Sequence, residues 1–429
     1  MSTLKYYVWL STRKGIGAAA AGRVLRHFGT VENAFFATDA EIRKVPDLRN
    51  AEQAALRDKD LTEPSDILAE STRLGHRVIT IQDAEYPERL RNIYDPPIVL
   101  YVKGRLPTID EEPVIGVVGT RSCTPYGLKQ AENVGYELAR RGLTVATGLA
   151  LGVDSAAALG ALRGGGAVIG LLGCGLDVIY PPGEKSAQLY EDVAAVGALI
   201  SEYPPGTKAL GSNFPVRNRI LSGISIGVAV IEAPLRSGAL ITASRALEQG
   251  RDVFAMPGNV DSGASAGANA LLRDGAIPIT SGEDIVNEYA DLFPLKIKSG
   301  PIRKVPLDKK AEKRLVATAE EASERKVRQV STEKIIDKTE NNAYIDTEES
   351  APSSTQVEAV ALTLTGVEKT VYGTLRRLLS ETNAKQIHID EVLSALSSDT
   401  EAAEVLGAMT MLEIESAIQS HGGGYYGLA

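Results

Sequence analysis

Val114-Ile115-Gly116-Val117-Val118-Gly119-Thr120-Arg121-Ser122 joins an unbroken apolar run to a glycine turn and then to a cation. An apolar run without polar alternation reads as a strand buried on both faces, as in parallel sheets. The pattern returns at Leu143–Thr147, Ala167–Leu172, Ala198–Ser201, Ile226–Ile231, Val253–Ala255 and Ala276–Thr280, with helical patterns between. In the first of these, Ala131, Val134 and Leu138 share one face, while Glu132, Arg140 and Arg141 lie off it. The alternation from Val114 to Phe293 predicts an α/β fold with a Rossmann-like, doubly wound, mostly parallel sheet.

Upstream, residues 1–75 read as a small helical domain, SAM-like or helix-hairpin-helix-like, in which Gly15, Gly17 and Gly29 interrupt Leu10, Ile16, Val24, Leu25, Phe28, Val31 and Phe35. Strands Val78–Ile81 and Ile98–Val102 lead into the α/β region, so the extended Rossmann-like domain is placed at 76–295. Residues 296–356 are rich in Lys, Glu, Ser and Thr and read as a flexible charged linker. Residues 357–429 carry helical patterns at Val371–Leu379, Asp390–Leu396 and Ala402–Gln419, then a glycine turn through His421–Tyr426. Three helices and a strand pair predict a C-terminal winged-helix domain. Its third helix carries Glu404, Glu413 and Glu415 without a basic residue, so a protein-contact role is expected there rather than DNA binding.

The 429 residues have a formal net charge of -9, which disfavours coating nucleic acid by bulk positive potential. Any such contact must use local arginines and backbone amides. Two cysteines, Cys123 and Cys174, supply neither a disulfide framework nor a cysteine-rich zinc site. No apolar run approaches the roughly 20 residues that span a bilayer, and a soluble, cytoplasmic protein without membrane contact is expected.

In an open α/β sheet ligands sit outside the carboxyl ends of the strands. Six glycine-bearing loops fall there: Gly119–Ser122, Gly148–Asp154, Gly173–Asp177, Ser201–Gly206, Glu232–Gly238 and Met256–Asn259. Together they predict one large polar groove whose loops expose backbone N–H groups. A phosphate ester is the best chemical match. Arg121 stands between a strand end and a helix start, where guanidinium and helix amides could grip one phosphate. The predicted phosphate-binding set is Gly119, Thr120, Arg121, Ser122, Gly148, Gly152, Lys185, Arg217, Asn218, Arg219, Ser237 and Gly238. Arg217 and Arg219 could equally pair with Asp177, Glu202 or Glu232 and hold the loops. Asp154, Asp177, Glu202 and Glu232 are read as loop-supporting carboxylates. Phe214, Tyr180 and Tyr203 are the candidates for base stacking.

A Walker phosphate loop and a dinucleotide fingerprint are both absent. All four histidines (His27, His76, His388 and His421) lie outside the α/β region, and Ser122 and Ser237 lack a histidine partner. Neither a catalytic residue nor a cofactor is expected.

The ordered motifs resemble the DNA-processing protein A (DprA/Smf) family. The resemblance runs through Tyr86-Pro87, Lys103-Gly104, Val118–Arg121, Gly148–Leu162, Gly173–Pro181, Ser201–Tyr203, Phe214–Gly223, Glu232-Ala233, Ser237–Ala243, Gly250-Arg251 and Pro257-Gly258. It covers roughly residues 5–295, more loosely 362–429. It implies a non-catalytic homodimer that binds single-stranded DNA and loads the RecA recombinase in natural transformation, with the phosphate grip on Gly119, Thr120 and Arg121. Two features depart from the family: Ala158 stands where a histidine is usual, and the loop after Tyr180-Pro181, in which Lys185 is read, is longer than usual and lacks the usual asparagine. The competing expectation is a nucleotide phosphoribohydrolase of the lysine-decarboxylase-like Rossmann group, although Ser237–Thr242 lacks that group's glycine-threonine-glutamate spacing.

Overall fold

The computed structural model describes residues 2–298, 366–382, 387–396, 418–422 and 425–428, with positions 405, 409 and 412. The chain divides near residue 336 into two compact units.

The first unit opens with helices α1 (Ser2–Thr12), α2 (Ala18–Phe28), α3 (Val31–Phe36), α4 (Asp39–Ile42), α5 (Asn50–Arg57) and α6 (Thr62–Arg73). Trp9 is fully buried and donates its indole N–H to the Asp58 carbonyl at 2.6 Å. Thr30 caps α3 by accepting the Asn33 amide at 3.2 Å. These helices share one apolar cluster with the sheet, in which Trp9 and Phe35 join Val99 and Tyr101.

Strands β1 (Arg77–Thr80) and β2 (Val99–Gly104) flank the short helix α7 (Glu88–Arg91). The alternation then runs β3 (Val114–Val118), α8 (Pro125–Arg141), β4 (Thr144–Thr147), α9 (Val153–Arg163), β5 (Val168–Leu172), α10 (Glu184–Val196) and β6 (Ala198–Ser201). It continues through α11 (Asn213–Ile224), β7 (Gly227–Val230), α12 (Gly238–Glu248), β8 (Asp252–Ala255), α13 (Ala266–Arg273), β9 (Ile277–Pro278) and α14 (Gly282–Tyr289). The nine strands lie in the order β1-β2-β6-β5-β4-β3-β7-β8-β9. β3 to β9 pair in parallel, so the α/β prediction holds as a mostly parallel sheet. The two lead-in strands extend it antiparallel, with β2 in register with β6 at Tyr101↔Ser201. β9 is shorter than its apolar run, and it tolerates Pro278 as the edge strand, where the Ile279 amide still donates to the Ala255 carbonyl at 3.1 Å.

The chain builds outward from β3 to β6 and then returns to place β7 on the other side of β3. The loops after β3 and β7 therefore diverge, and a crevice opens between them.

Helices α8 and α9 approach closely through glycines. A methyl on Gly135 would lie 2.1 Å from the Ala157 carbonyl oxygen, and one on Gly160 2.1 Å from that of Glu132. Gly135→Ala is expected to lower stability by about 1–3 kcal/mol, since backbone cannot yield as a side chain can. The check is a urea midpoint that falls while the slope stays constant.

Residues 296–298, assigned by composition to the linker, are held on this unit. Ile297 is buried, Lys296 pairs with Glu112 at 2.5 Å, and the Lys298 amide donates to the Arg141 carbonyl. The rest of the linker read at 296–356 lies outside the described residues.

The second unit contains α15 (Gly366–Thr382), β10 (Ile387–His388), α16 (Ile389–Ala395), β11 (Ile418–Gly422) and β12 (Tyr425–Leu428). Its strands form an antiparallel sheet in the order β10-β12-β11. Val371, Leu375, Leu379 and Val392 pack with Val405, Met409 and Leu412. Those last three are helical and fall on one face by their spacing. The remainder of the helix expected at Ala402–Gln419, including Glu404, Glu413 and Glu415, lies outside the described residues, and Ile418 and Gln419 belong to β11 instead. Among the described residues no helix is long and apolar enough to cross a membrane.

Candidate functional site

A cavity of about 430 Å³ lies at the crevice where the strand order reverses. One wall is the Gly119–Ser122 turn after β3, the opposite one Pro234–Thr242 at the start of α12. Phe214 to Asn218 on α11 close the back with Asp154 and Tyr180.

The first turn needs its glycines. A Cβ on Gly119 would meet the Val153 side chain at 2.6 Å and the Glu232 carbonyl at 2.8 Å. Gly152, at φ 83°, packs under the turn, where a Cβ would lie 2.4 Å from the Thr120 carbonyl oxygen. The Thr120 amide donates to the Glu232 carbonyl at 2.7 Å, and the Ser122 amide to Thr120 Oγ1 at 3.3 Å.

Glu232 is almost fully buried, and its carboxylate accepts the amide and hydroxyl of Thr124, each at 2.7 Å. Thr124 in turn caps α8 by accepting the Gly127 amide. The sequence reading paired Arg121 with the α8 amides around one phosphate. That arrangement is corrected, because the start of α8 is already served by the protein's own carboxylate and hydroxyl.

Arg121 is exposed and turns to aromatic rings instead. Its guanidinium carbon lies 4.9 Å from the Phe214 centroid and 5.8 Å from that of Tyr180, and the two rings are 5.0 Å apart. Stacking and a hydrogen bond from Nη1 to the Tyr180 hydroxyl at 3.4 Å steady the planar cation, whose remaining N–H groups can meet an anion.

Arg217 is 5% exposed, and its Nε has no hydrogen-bond partner among the described residues. Its guanidinium and the Asp154 carboxylate flank Gly148, whose amide donates to Asp154 Oδ2 at 3.1 Å. Burial pushes the Asp154 carboxyl up to about 6, against the opposing pull of Arg217. Burial likewise lowers the pKa of Arg217.

Arg219 differs. Two residues on, it projects about 200° around the helix and is held by Asp95 at 3.0 Å and by both Glu202 oxygens at 2.8 and 2.9 Å. It serves the loop-holding alternative and does not line the cavity. Lys185 is also corrected: it sits exposed on the first turn of α10, not in a loop, and away from the cavity wall. Gly148 and Gly152 act from behind, making room for Arg217 and for the Thr120 backbone.

Asn218 donates to the Gly238 carbonyl at 3.3 Å, tying α11 to α12, and Ser237 caps α12 by accepting the Ala239 amide at 3.3 Å. An added Cβ at Gly238 would have nothing within 4 Å, so the α12 amino end is open to the cavity. Asp177 accepts the Gly206 amide at 2.9 and 3.0 Å and joins the loops after β5 and β6. Arg236 and Thr242 line the wall but were outside the predicted set. Thr242 lies inside a helix, where no glycine or strand end signalled it. Ala158 is fully buried in α9 and is not part of the wall.

The family described as DNA recombination-mediator protein A matches residues 77–290. The Smf protein of Synechocystis is 38% identical over 285 residues, 66% of this chain and 71% of its own length. The DNA processing protein DprA of Streptococcus pneumoniae is 44% identical over 210 residues, 49% of this chain and 73% of that protein. The X-ray structure of DNA processing protein A from Streptococcus pneumoniae superposes with a TM-score of 0.59 at 35% identity, covering 67% of this chain and 99% of that one.

Proposed function

The chain belongs to the DNA recombination-mediator protein A family, a family of mediators rather than enzymes, and we propose that its cavity binds single-stranded DNA through the phosphates. One observation carries this reading: Arg217 is a buried cation facing the cavity with an unpartnered Nε. The Asp154 carboxylate beside it offsets its charge, yet no acceptor meets this buried N–H, and leaving it unmet is costly until one does.

A phosphate at Arg217 lies within reach of Asn218 and the α12 amides at Ser237–Gly238, and the next meets Arg121, Thr120 and Ser122. Phe214 and Tyr180 offer a face for a base. In this reading the cavity takes nucleotides of one strand in preference to a duplex. In the same reading the protein acts in the cytoplasm as a homodimer that loads RecA onto the strand in natural transformation. Its domains are a helical module at 1–75, the DNA-binding domain at 76–295, a linker at 296–356 and a winged helix at 357–429. The helices and antiparallel strands of the second unit support the last assignment.

Fluorescence anisotropy of labelled single-stranded and duplex oligonucleotides across a salt series tests the groove. Arg121→Ala is expected to weaken single-strand binding about tenfold, the worth of one charge-assisted contact. Its log–log salt slope should be shallower by about 0.7. Equal binding by wild type and Arg121→Ala, or none by the folded wild type, rejects the groove as the DNA site.

A further inference from the structure

Arg217 and Asp154 flank the Gly148 Cα at the back of the cavity. A methyl there would lie 2.3 and 2.4 Å from the two terminal guanidinium nitrogens and 2.6 Å from Asp154 Oδ2. Both side chains are more than nine-tenths buried and both line the cavity. An anion reaching Arg217 therefore arrives beside a carboxylate. Taking the cavity as a single-strand phosphate site, we propose that Asp154 competes with DNA phosphate for the charge of Arg217, so that the strand binds with uptake of a proton at Asp154 and binds more tightly as pH falls.

The geometry sets the direction. An ionised Asp154 offsets the cation and repels an incoming phosphate; a protonated one does neither. Burial already pushes its carboxyl up to about 6, while Arg217, the backbone at Ala150 and Gly148, and Arg121 pull it down. Bound phosphate raises it further, because negative charge then stands beside it. Affinity consequently begins to rise below the pKa of the bound state and levels off below that of the free state, near 6.

The groups around the pair leave Asp154 as the one that titrates in this range. Arg217 on α11 and Arg121 in the turn after β3 face it. Cys123 in that turn is pushed up to about 12 by burial, chiefly, and by Glu232 and Asp154. Cys174 after β5, raised to about 11 by burial, and Tyr190 of α10, raised by burial, lie near Arg217. His76 instead faces Asp177, Lys103 and Glu70.

The test uses oligothymidylate with hydroxyl ends, so that the ligand does not titrate, at constant ionic strength. Wild-type affinity is expected to rise about tenfold from pH 8 to pH 5, about half of it by pH 6, the effect of a one-unit displacement on binding. Asp154→Asn keeps an acceptor for the Gly148 amide. It should give a flat profile and, at pH 8, the affinity that wild type reaches at pH 5. Parallel profiles for the two proteins, or a flat wild-type profile, overturn the proposal. Calorimetry on wild type alone, near neutral pH in buffers of different ionisation enthalpy, should show net proton uptake; none also overturns it, whatever the fold of the variant. Arg121→Ala at pH 8 separates the premise: if that variant binds as wild type does, the groove reading fails, and with it this proposal.

Discussion

Arg217→Met is expected to lose about 30- to 100-fold in single-strand affinity, or about 2–3 kcal/mol, the cost of removing one partner from a buried, charge-assisted contact. The loss should exceed that for Arg121→Ala, because Arg121 is exposed and its contact is shared with water whereas Arg217 is desolvated. The fold should respond with opposite signs at the two ends of the pH range. Methionine fills similar volume without a charge, so in mild acid, where Asp154 is protonated, the variant should melt a few degrees above wild type. In mild alkali Asp154 is left ionised without its counter-charge, and that gain should vanish or reverse. The folded pKa of Asp154 lies above its ordinary value, so its ionisation costs stability as pH rises through about 6, and the loss of Arg217 deepens that cost. Arg217→Lys keeps the charge but loses the planar fork and should fall between. Wild-type affinity in Arg217→Met removes this residue from the site, and melting curves that differ by the same amount at both pH values remove its coupling to Asp154.

Arg219→Ala is expected to damage the fold instead. Arg219 is 4% exposed and spans Asp95 before α11 and Glu202 after β6. Removing it leaves a half-buried carboxylate at Glu202 without its bidentate partner, at a cost of about 3–5 kcal/mol. For a unit of this size the melting temperature should fall by about 10 °C or more. Single-strand affinity of the folded fraction, measured in the cold, should change far less than in Arg217→Met. A melting temperature within a degree or two of wild type, or an affinity loss matching Arg217→Met, contradicts the assignment. Two arginines separated by one residue are thus given opposite phenotypes by the helix face each occupies.

The parallel sheet was legible because a strand buried on both faces must be apolar at every position, a local property. β3 and β6 fall on the predicted Val114–Val118 and Ala198–Ser201. The glycine loops could be placed because glycines follow the apolar runs directly along the chain, although the groups that demand one at Gly119, the Val153 side chain and the Glu232 carbonyl, come from elsewhere in the sequence. The role of β2 was not legible. Its antiparallel partner β6 is remote along the chain, and nothing within Val99–Gly104 names it.

Sequence by itself therefore determined the layered α/β architecture, the glycine loops at the carboxyl edge of its sheet, and the absence of histidine from that region. Each follows from residue type and spacing alone. Tertiary structure decided which of those groups is available. It turned Arg217 to the cavity and Arg219 to Glu202 and Asp95, because successive residues rotate by about 100° around a helix. It also brought Glu232, 108 residues from Thr124, onto the start of α8, leaving Arg121 to stack on Phe214 and Tyr180. A charge is free or spent according to what lies within a few ångströms of it, and for Arg217, Arg219 and Glu232 those neighbours come from distant parts of the chain.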